Sequence, residues 1–410
     1  MSDGIATEIM ARAARANEGD ELTEEWMRTT DAKLVARAEA MYGSWEAALA
    51  QALMMACTQT VQTPTPSSAV PRKTIARPKV HAVNEVVAFD REPEEGWDGP
   101  IVMVAADRMV FQVNADRFST AHQTPVTAQP FAPEGRALSI EVAMPNPGED
   151  VVVALSNTGT AHSFDSRIVP HIEGHTLRAS DVIGVASDES IVALMSRRQL
   201  RRSGRFVHVT VEGKIKASSI KDFGRGGPDR HGAQALLLSE QDAICTAFLE
   251  RDKATRVFCA SLAGNGIHFS ARDVRTMGLK AQGVKAMAVG DDFDAVVGAF
   301  NTDGCQELVV LSAFGYGKRV ALDEFRVQGR GGQGMILMRP HVDGDELAAI
   351  APLSSLHQDL LVLTLGGHVA RIAAPAIPAP GRSARGLPLV ALPDGDRIST
   401  VCVLPGSGPA

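Results

Sequence analysis

From about residue 101 to the end of this sequence, one pattern of hydrophobic and polar positions repeats about every fifty residues. In each period a short apolar run closes on a turn, a polar loop follows, and a glycine then opens a second apolar run. A constant period of this length indicates a repeat architecture, in which each unit buries its apolar face only against its neighbours. The closing residues are Asp107, Gly159, Gly213, Gly266, Gly317 and Gly367, and the opening glycines are Gly135, Gly184, Gly232, Gly283, Gly334 and Gly386.

Each repeat carries the pattern of β-strands rather than helices. Runs such as 151–155, 206–211 and 360–365 are short, rich in Val, Leu, Thr and Phe, and bounded by Gly, Asn or Asp. Further runs of this kind bring each repeat to about four strands, the size of a propeller blade. The sequence therefore predicts an all-β fold, a six-bladed β-propeller over residues 80–410 with an entry strand near 80–89, and helices confined to about residues 5–56.

The residues before the propeller are of two kinds. Residues 1–56 form a predicted small helical element, because Ile5 and Ile9 recur at helical spacing and Ser44 is a plausible N-cap. Residues 57–79 are rich in Pro, Thr and Ser and then basic, which is typical of a linker. The segment 41–49 resembles a helical repeat that accompanies homing endonucleases, although Trp45 and Leu49 also fit simple packing one helical turn apart.

Several classes of chemistry find no support in the sequence. The five cysteines form no Cys-x-x-Cys pair, so neither a zinc site nor a disulfide framework is predicted. No nucleotide-binding, metal-binding or hydrolase motif is present, and we expect no cofactor and no catalytic site. Asp345 and Asp396 sit in Asp-Gly-Asp sequences that favour hairpin turns over cation ligands. No signal peptide and no apolar stretch near twenty residues is found, so we expect a cytoplasmic protein without a membrane partner.

The distribution of charge is more informative than its total. The net charge is −7, yet residues 197–285 hold 17 Lys or Arg against eight Asp or Glu. Such a local excess indicates contact with nucleic acid, with a solvated charged face as the alternative interpretation. The candidate contacts to DNA phosphates in this stretch are Arg197, Arg198, Arg201, Arg202, Arg205, Lys214, Lys216, Lys221 and Arg225.

The fifth repeat carries the most specific motif of the chain. Residues 314–336 combine Gly-x-x-Lys-Arg, Asp-Glu-Phe and the glycine-rich loop Gln-Gly-Arg-Gly-Gly-Gln-Gly. This resembles a blade of the C-terminal domain of the DNA gyrase A subunit, with weaker copies around Gly213, Gly266 and Ser383. Glycines let a backbone approach a phosphate closely, and the nearby cations supply charge. The candidate DNA contacts here are Lys318, Arg319, Gln328, Gly329, Arg330, Gly331, Gly332, Gln333 and Gly334.

The resemblance implies a β-pinwheel, in which neighbouring blades exchange a strand, and a basic rim around which duplex DNA wraps. The chain departs from the family in two ways. The family's fully basic box lies in the first blade, whereas here the best copy is in the fifth with Gln333 at a basic position, so the sense of wrapping stays open. Nothing resembles the breakage-reunion domain, and neither Tyr42 nor Tyr316 is a candidate for a covalent link to DNA.

We therefore expect a non-catalytic module that binds and bends or wraps duplex DNA, mainly through the phosphate backbone. The alternative is a propeller scaffold for protein–protein interaction, such as an accessory to a topoisomerase or another chromosome protein, which the overall acidity favours. The two differ in one structural respect, because a wrapping track must be contiguous. Arginines 197–205 and the loop 328–334 would then lie on one continuous rim.

Overall fold

A computed structural model describes the propeller in most of its length. It covers Val35 and residues 98–405, apart from 132–136, 147–150, 172–176, 187, 197–203, 221–232, 235–236, 240–241, 251–254, 279–280 and 291–293. The chain divides into two compact units, Met1–Ala76 and Arg77–Ala410. The predicted helices of residues 1–56 lie outside the described residues except at Val35, which is helical, and so do the linker 57–79 and the entry strand 80–89.

The second unit is built from short strands. In chain order they are β1 (Pro100–Ala105), β2 (Met109–Asn114), β3 (Thr120–Ala121), β4 (Val126–Thr127), β5 (Gln129–Pro130), β6 (Ile140–Pro145), β7 (Val151–Ser156), β8 (Thr160–Asp165), β9 (Leu177–Arg178), β10 (Ile191–Ser196), β11 (Arg205–Thr210), β12 (Lys214–Ser219), β13 (Ala233–Gln234), β14 (Ile244–Glu250), β15 (Arg256–Ser261), β16 (Asn265–Ser270), β17 (Val284–Lys285), β18 (Val296–Asn301), β19 (Glu307–Ser312), β20 (Tyr316–Ala321), β21 (Met335–Ile336), β22 (Leu347–Leu353), β23 (Asp359–Thr364), β24 (His368–Ala373), β25 (Leu387–Pro388), β26 (Val390–Ala391) and β27 (Ile398–Leu404).

These strands form six blades, five with four strands and a sixth in which β5 is a fifth strand, close to the four strands per blade that the sequence predicts. From the centre outwards their orders are β6-β1-β2-β9, β10-β7-β8-β13, β14-β11-β12-β17, β18-β15-β16-β21, β22-β19-β20-β25 and β27-β23-β24-β3, and we number the blades 1 to 6 in that sequence. The inner strands β6, β10, β14, β18, β22 and β27 contact one another in a closed cycle. The six-bladed β-propeller is thus confirmed.

The outermost strand of each blade comes from its neighbour. After its third strand the chain makes a short turn and crosses to the outer edge of the preceding blade, where β9, β13, β17, β21 and β25 pair with blades 1 to 5. Strands β3 and β5, which lie in the chain between β2 and β6 of blade 1, pair with β24 of blade 6 and so close the ring. We call these crossing stretches edge segments: 115–130 on blade 6, 166–178 on blade 1, 271–285 on blade 3, 322–336 on blade 4 and 374–388 on blade 5.

Helical structure inside the propeller is limited but present. A single turn, α1 (Ala179–Val182), follows β9, and its flanking residues Ala179 and Ile183 are buried. The expectation that helices stop before residue 57 was therefore wrong by this one turn. Each described edge segment also begins with a 3₁₀ turn: Ala115–Arg117, Ser166–Ile168, Ala271–Asp273, Leu322–Glu324 and Ala374–Ala376.

The hydrophobic core consists of six clusters, and each one lies between two adjacent blades. Strand β1 illustrates how this arises, because Ile101 and Met103 face blade 6 whereas Val102 and Val104 face blade 2. Successive side chains of a strand point to opposite faces, so an all-apolar strand serves two seams at once. This explains why the repeats contain uninterrupted apolar runs rather than alternating patterns.

In each blade, the hairpin turn between the second and third strands from the centre needs one residue with a positive, left-handed φ. Glycine provides it in blades 2 to 6, and Arg108 does so in blade 1 with φ 66°. In blades 4 and 5 the turn glycines are Gly264 and Gly315, two residues before the ones that the periodicity indicated. Gly266 has a different reason to be glycine, since a Cβ there would lie 2.6 Å from Cζ of Phe258.

A buried carboxylate braces most of these turns. Asp294 accepts the backbone N–H of Ala263 at 3.0 Å, Asp345 that of Phe314 at 3.1 Å, and Asp396 that of Gly366 at 2.7 Å. The Asp-Gly-Asp sequences themselves lie in turns before β22 and β27, whose flanking strands do not pair with each other, and their last carboxylates brace the hairpin turns of blades 5 and 6.

Among the described residues, polar side chains latch five of the blades to the 3₁₀ turn of the next one, or to the residue that directly follows that turn. Side-chain nitrogens of Gln112, Arg205, Arg319 and Arg371 donate to carbonyl oxygens of these turns at 2.6–2.9 Å, and Nδ1 of His268 lies 3.2 Å from the carbonyl oxygen of Phe325. These five latch residues serve five of the six seams. The latches matter because a buried carbonyl without a donor costs about 1–3 kcal/mol.

Arg371 is the latch that closes the ring, and its loss should be costly. Its Nε donates to Asp359 at 2.8 Å and its Nη1 to the carbonyl of Ala115 at 2.9 Å. Removing one partner of a buried ion pair costs roughly 3–5 kcal/mol, so Arg371→Met should lower the unfolding free energy by that amount in urea denaturation. Arg326→Met, at an exposed arginine, is the control and should change it by less than about 0.5 kcal/mol. Equal stability of the two variants would contradict the role of the latch.

Candidate nucleic-acid interface

Five of the predicted DNA contacts lie in strands, and four of them, Arg205, Lys216, Lys318 and Arg319, are buried or paired inside the propeller. Arg205 is a latch residue paired with Glu250, and Arg319 is a latch residue paired with Glu307. Lys216 and Lys318 are fully buried. The structure therefore gives these four residues a role inside the propeller and not at a DNA-facing rim. Sequence reasoning missed this because the direction of a side chain in a strand depends on which face the neighbouring blade covers.

Lys318 shows how such a buried cation is accommodated. Its Nζ donates to the carbonyl oxygens of Gly381, Arg382 and Ala384 at 3.0, 2.5 and 2.7 Å. Burial lowers the pKa of Lys318 to about 8, although the carboxylate of Glu324 opposes the shift. From its buried position, the lysine thus holds the loop 381–385 of the edge segment 374–388 in place.

Lys214 is partly exposed but also paired, with its Nζ at 3.0 Å from Glu212 and 3.3 Å from Asp242. Arg197, Arg198, Arg201, Arg202, Lys221 and Arg225 lie outside the described residues and remain predictions.

The loop 328–334, predicted from the fifth repeat, lies on the outer edge of blade 4. The N–H of Gln328 donates to the carbonyl of His268 at 2.9 Å, and the N–H of Gly331 donates to the carbonyl of Ala286 at 2.6 Å. These bonds hold the loop between the edges of blades 4 and 3. Gly329, Gly332 and Gln333 are exposed there, whereas Gly331 and Gly334 are partly covered.

Arg330 joins this loop to the neighbouring edge segment. Its Nε donates to the carbonyl of Asp273 at 3.0 Å and its Nη1 to the carbonyl of Lys285 at 2.8 Å. Arg382 repeats the arrangement one blade further, with Nη1 donating to the carbonyl of Ile336 at 2.8 Å. The two arginines thus connect the edge segments of blades 3, 4 and 5 into one continuous surface.

Exposed cations follow this surface, and most of them were missed by the sequence reasoning. The segment 271–285 carries Arg272, Arg275 and Lys285, all exposed, and Arg256 is exposed at the start of β15. The next two edge segments add Arg326, Arg382 and Arg385, of which Arg382 is partly covered. The repeat itself contained a signal for Arg382, which stands four residues before Gly386 as Arg330 stands four before Gly334. We call the cations of these three edge segments the basic track: Arg272, Arg275, Lys285, Arg326, Arg330, Arg382 and Arg385.

The described residues contain free thiols but no grouped metal ligands. Within those residues, no group of three or more His, Cys, Asp or Glu side chains is placed to hold a metal ion. Cys245, Cys259, Cys305 and Cys402 are free thiols, and burial raises the pKa of Cys305 to about 12. No helix among the described residues is long and apolar enough to cross a membrane.

Comparison with known proteins gives the same fold. The family described as DNA gyrase C-terminal domain, beta-propeller, matches residues 255–303, 306–354 and 358–403, which are blades 4, 5 and 6. A solved structure of the DNA gyrase A C-terminal domain superposes with a TM-score of 0.65 at 20% identity, covering 74% of this chain and 99% of that one. The C-terminal domain of DNA topoisomerase IV superposes with a TM-score of 0.57 at 18% identity, covering 74% and 92%.

Curated relatives agree with this result. The gyrase A protein of Helicobacter pylori strain J99 is 26% identical over 244 residues, 59% of this chain and 29% of the relative. The gyrase A protein of Lawsonia intracellularis is 28% identical over 250 residues, 60% of this chain and 30% of the relative. The chain therefore spans less than a third of the length of these relatives.

A ring of six strand-exchanged blades with a basic outer edge is a β-pinwheel. Three of its blades match the family model of the DNA gyrase C-terminal domain, and its fold is similar to that of the gyrase A C-terminal domain.

The last glycine of the loop 328–334 should be required by the fold and not by DNA. Gly334 has φ 84°, and a Cβ there would lie 2.3 Å from the carbonyl oxygen of Gly266. Gly334→Ala should therefore lower the unfolding free energy by at least the ~1–3 kcal/mol of a strained backbone, measured by urea denaturation without DNA. Gly329→Ala, whose Cβ meets nothing within 4 Å, should leave stability unchanged. If both variants are as stable as the parent, the loop is not constrained in this way.

Proposed function

We propose that this propeller binds duplex DNA along the basic track and bends it around the edges of blades 3, 4 and 5. The contacts are mainly to phosphates, and the protein carries out no reaction itself. The proposal includes a role beside a topoisomerase on chromosomal DNA in the cytoplasm, in keeping with the gyrase family of its relatives.

One observation carries this proposal, namely the continuity of the track. The loop 328–334 adjoins the segment 271–285 through Arg330, and the segment 322–336 adjoins the loop 381–385 through Arg382. A duplex that touches Arg272 and Arg275 can thus pass to Arg385 without leaving the protein surface. Phosphate contacts of this kind position DNA without reading its sequence.

The remaining edges support a path of limited extent. Arg117 on blade 6 and Arg178 on blade 1 are exposed, but Arg167 is paired with Asp165 at 2.7 Å. The predicted contacts Lys221 and Arg225 lie outside the described residues and stay part of the proposal on sequence grounds alone. The proposed path thus runs along one side of the ring.

Removing cations from the track should weaken DNA binding and its dependence on salt. Each phosphate contact contributes about 0.9 to the slope of log affinity against log salt, so replacing Arg272, Arg275 and Lys285 by Ser should lower the slope by roughly 2–3. Replacing Arg117, Arg167 and Arg178 by Ser is the matched control and should leave the slope nearly unchanged. Fluorescence anisotropy with a 20-base-pair duplex between 50 and 200 mM salt measures both. A flat salt response of the parent protein would favour the scaffold alternative.

Bending requires that long duplexes bind better than short ones. A duplex of about 100 base pairs can follow several edges, whereas one of about 20 base pairs engages one or two, because the persistence length of DNA is roughly 150 base pairs. We expect affinity per site to rise with length, and we expect a relaxed plasmid closed by ligase in the presence of the protein to change its linking number. Binding that does not improve with length, together with an unchanged linking number, would reduce the function to electrostatic adhesion.

A further inference from the structure

The loop 381–385 on the edge of blade 5 differs from its counterpart on blade 4 in having a buried ammonium group beneath it. Lys318 binds the carbonyl oxygens of Gly381, Arg382 and Ala384 and is itself fully buried. In the loop 328–334 the corresponding strand position is Ile267, whose Cδ1 lies 3.9 Å from a Cβ built on Gly332. Of these two loops, only the loop 381–385 has a cation beneath it.

Lys318 determines the direction of the loop's amide groups. In a planar trans peptide the carbonyl and the following N–H point in opposite directions. Because the carbonyls of Gly381, Arg382 and Ala384 point inwards to Lys318, the N–H groups of Arg382, Ser383 and Arg385 point outwards. Successive outward N–H groups above a positive charge form a concavity that favours an anion.

One of these N–H groups already donates a hydrogen bond to an anionic oxygen. The N–H of Arg382 donates to Oε2 of Glu324 at 2.8 Å. Glu324 comes from the 3₁₀ turn of the segment on blade 4 and is otherwise exposed. Within the described part of the chain, the N–H groups of Ser383 and Arg385 have no acceptor, and the side chains of both residues are exposed.

We propose that the loop 381–385 is a seat for one phosphate of the DNA backbone, and that the carboxylate of Glu324 occupies this seat while DNA is absent. The inference rests on the proposed function. A phosphate offers the oxygens that the three outward amides and the Ser383 hydroxyl can bind, and Arg385 lies beside it to neutralise its charge. The carboxylate must leave for the phosphate to enter, so Glu324 lowers the affinity for DNA.

The test compares two neighbouring acids. Glu324→Gln removes the competing charge from the seat, and Asp323→Asn removes an equal charge from the adjacent exposed position. General electrostatics would affect both alike, by less than about threefold for an exposed charge. We expect Glu324→Gln to tighten binding to a 100-base-pair duplex by about tenfold or more, the worth of a charge-assisted hydrogen bond, and Asp323→Asn to stay within threefold.

A second measurement does not depend on DNA. Titration with inorganic phosphate should shift the backbone amide signal of Arg382 in nuclear magnetic resonance spectra of ¹⁵N-arginine-labelled Glu324→Gln protein. The same signal should move far less in the parent and in Asp323→Asn, where the carboxylate holds the amide.

The outcomes separate the two proposals. Selective tightening by Glu324→Gln together with the phosphate-dependent shift supports the seat. Equal affinities of the two variants with an unmoved Arg382 signal overturn the seat, while DNA binding by the parent protein stands. Failure of the parent and of both variants to bind duplex overturns the proposed function and, with it, the assignment of the seat to DNA.

Discussion

The structure depends on the fact that no blade buries its own faces. Every hydrophobic cluster lies between two blades, so each sheet is stabilised by packing against its neighbours. The exchanged edge strands follow from the same constraint, because they tie each blade to the next by backbone hydrogen bonds as well as by side-chain packing. The 3₁₀ turn that starts each crossing is thereby brought against the preceding blade, where its carbonyl groups need donors.

Several of these donors are cationic side chains. Their charges are used inside the propeller and do not add to the charge that faces solvent. Arg205 and Arg319 each combine a carboxylate partner with a carbonyl of the next 3₁₀ turn, and Lys318 binds three carbonyls without a carboxylate contact. Such groups cannot also bind a phosphate without breaking the seam. The positive potential available to DNA is therefore that of the edge segments, where Arg272, Arg275 and Lys285 face solvent.

The sequence was sufficient for the fold and insufficient for the site, for related reasons. The period and the apolar runs predict the blades because a strand that serves two seams must be apolar on both faces. Turn positions were displaced in two blades because sequences such as Gly264-Asn-Gly266 contain two glycines, one needed for its φ and one for its small size. The residues of the proposed basic track could not be separated from the latches, since both are Lys or Arg and only the contact with the next blade distinguishes Arg319 from Arg326.

The balance between binding and bending depends on the middle of the proposed path. Three adjacent blades of six make up half the ring, and bending 20–30 base pairs by 40–90° costs of order 1–6 kcal/mol. Sequence-independent binding at physiological salt has a Kd of about 10⁻⁴–10⁻⁶ M, equivalent to roughly 5–8 kcal/mol. The two terms are similar in size, so a few contacts decide the outcome.

The edge of blade 4 lies at the centre of the path, and there Asp323 and Glu324 offset Arg326 and Arg330 in formal charge. A duplex held only at the edges of blades 3 and 5 must span this neutral stretch. In the proposed path, the charge state of the edge of blade 4 therefore governs whether DNA would follow the ring or leave it after the first contact.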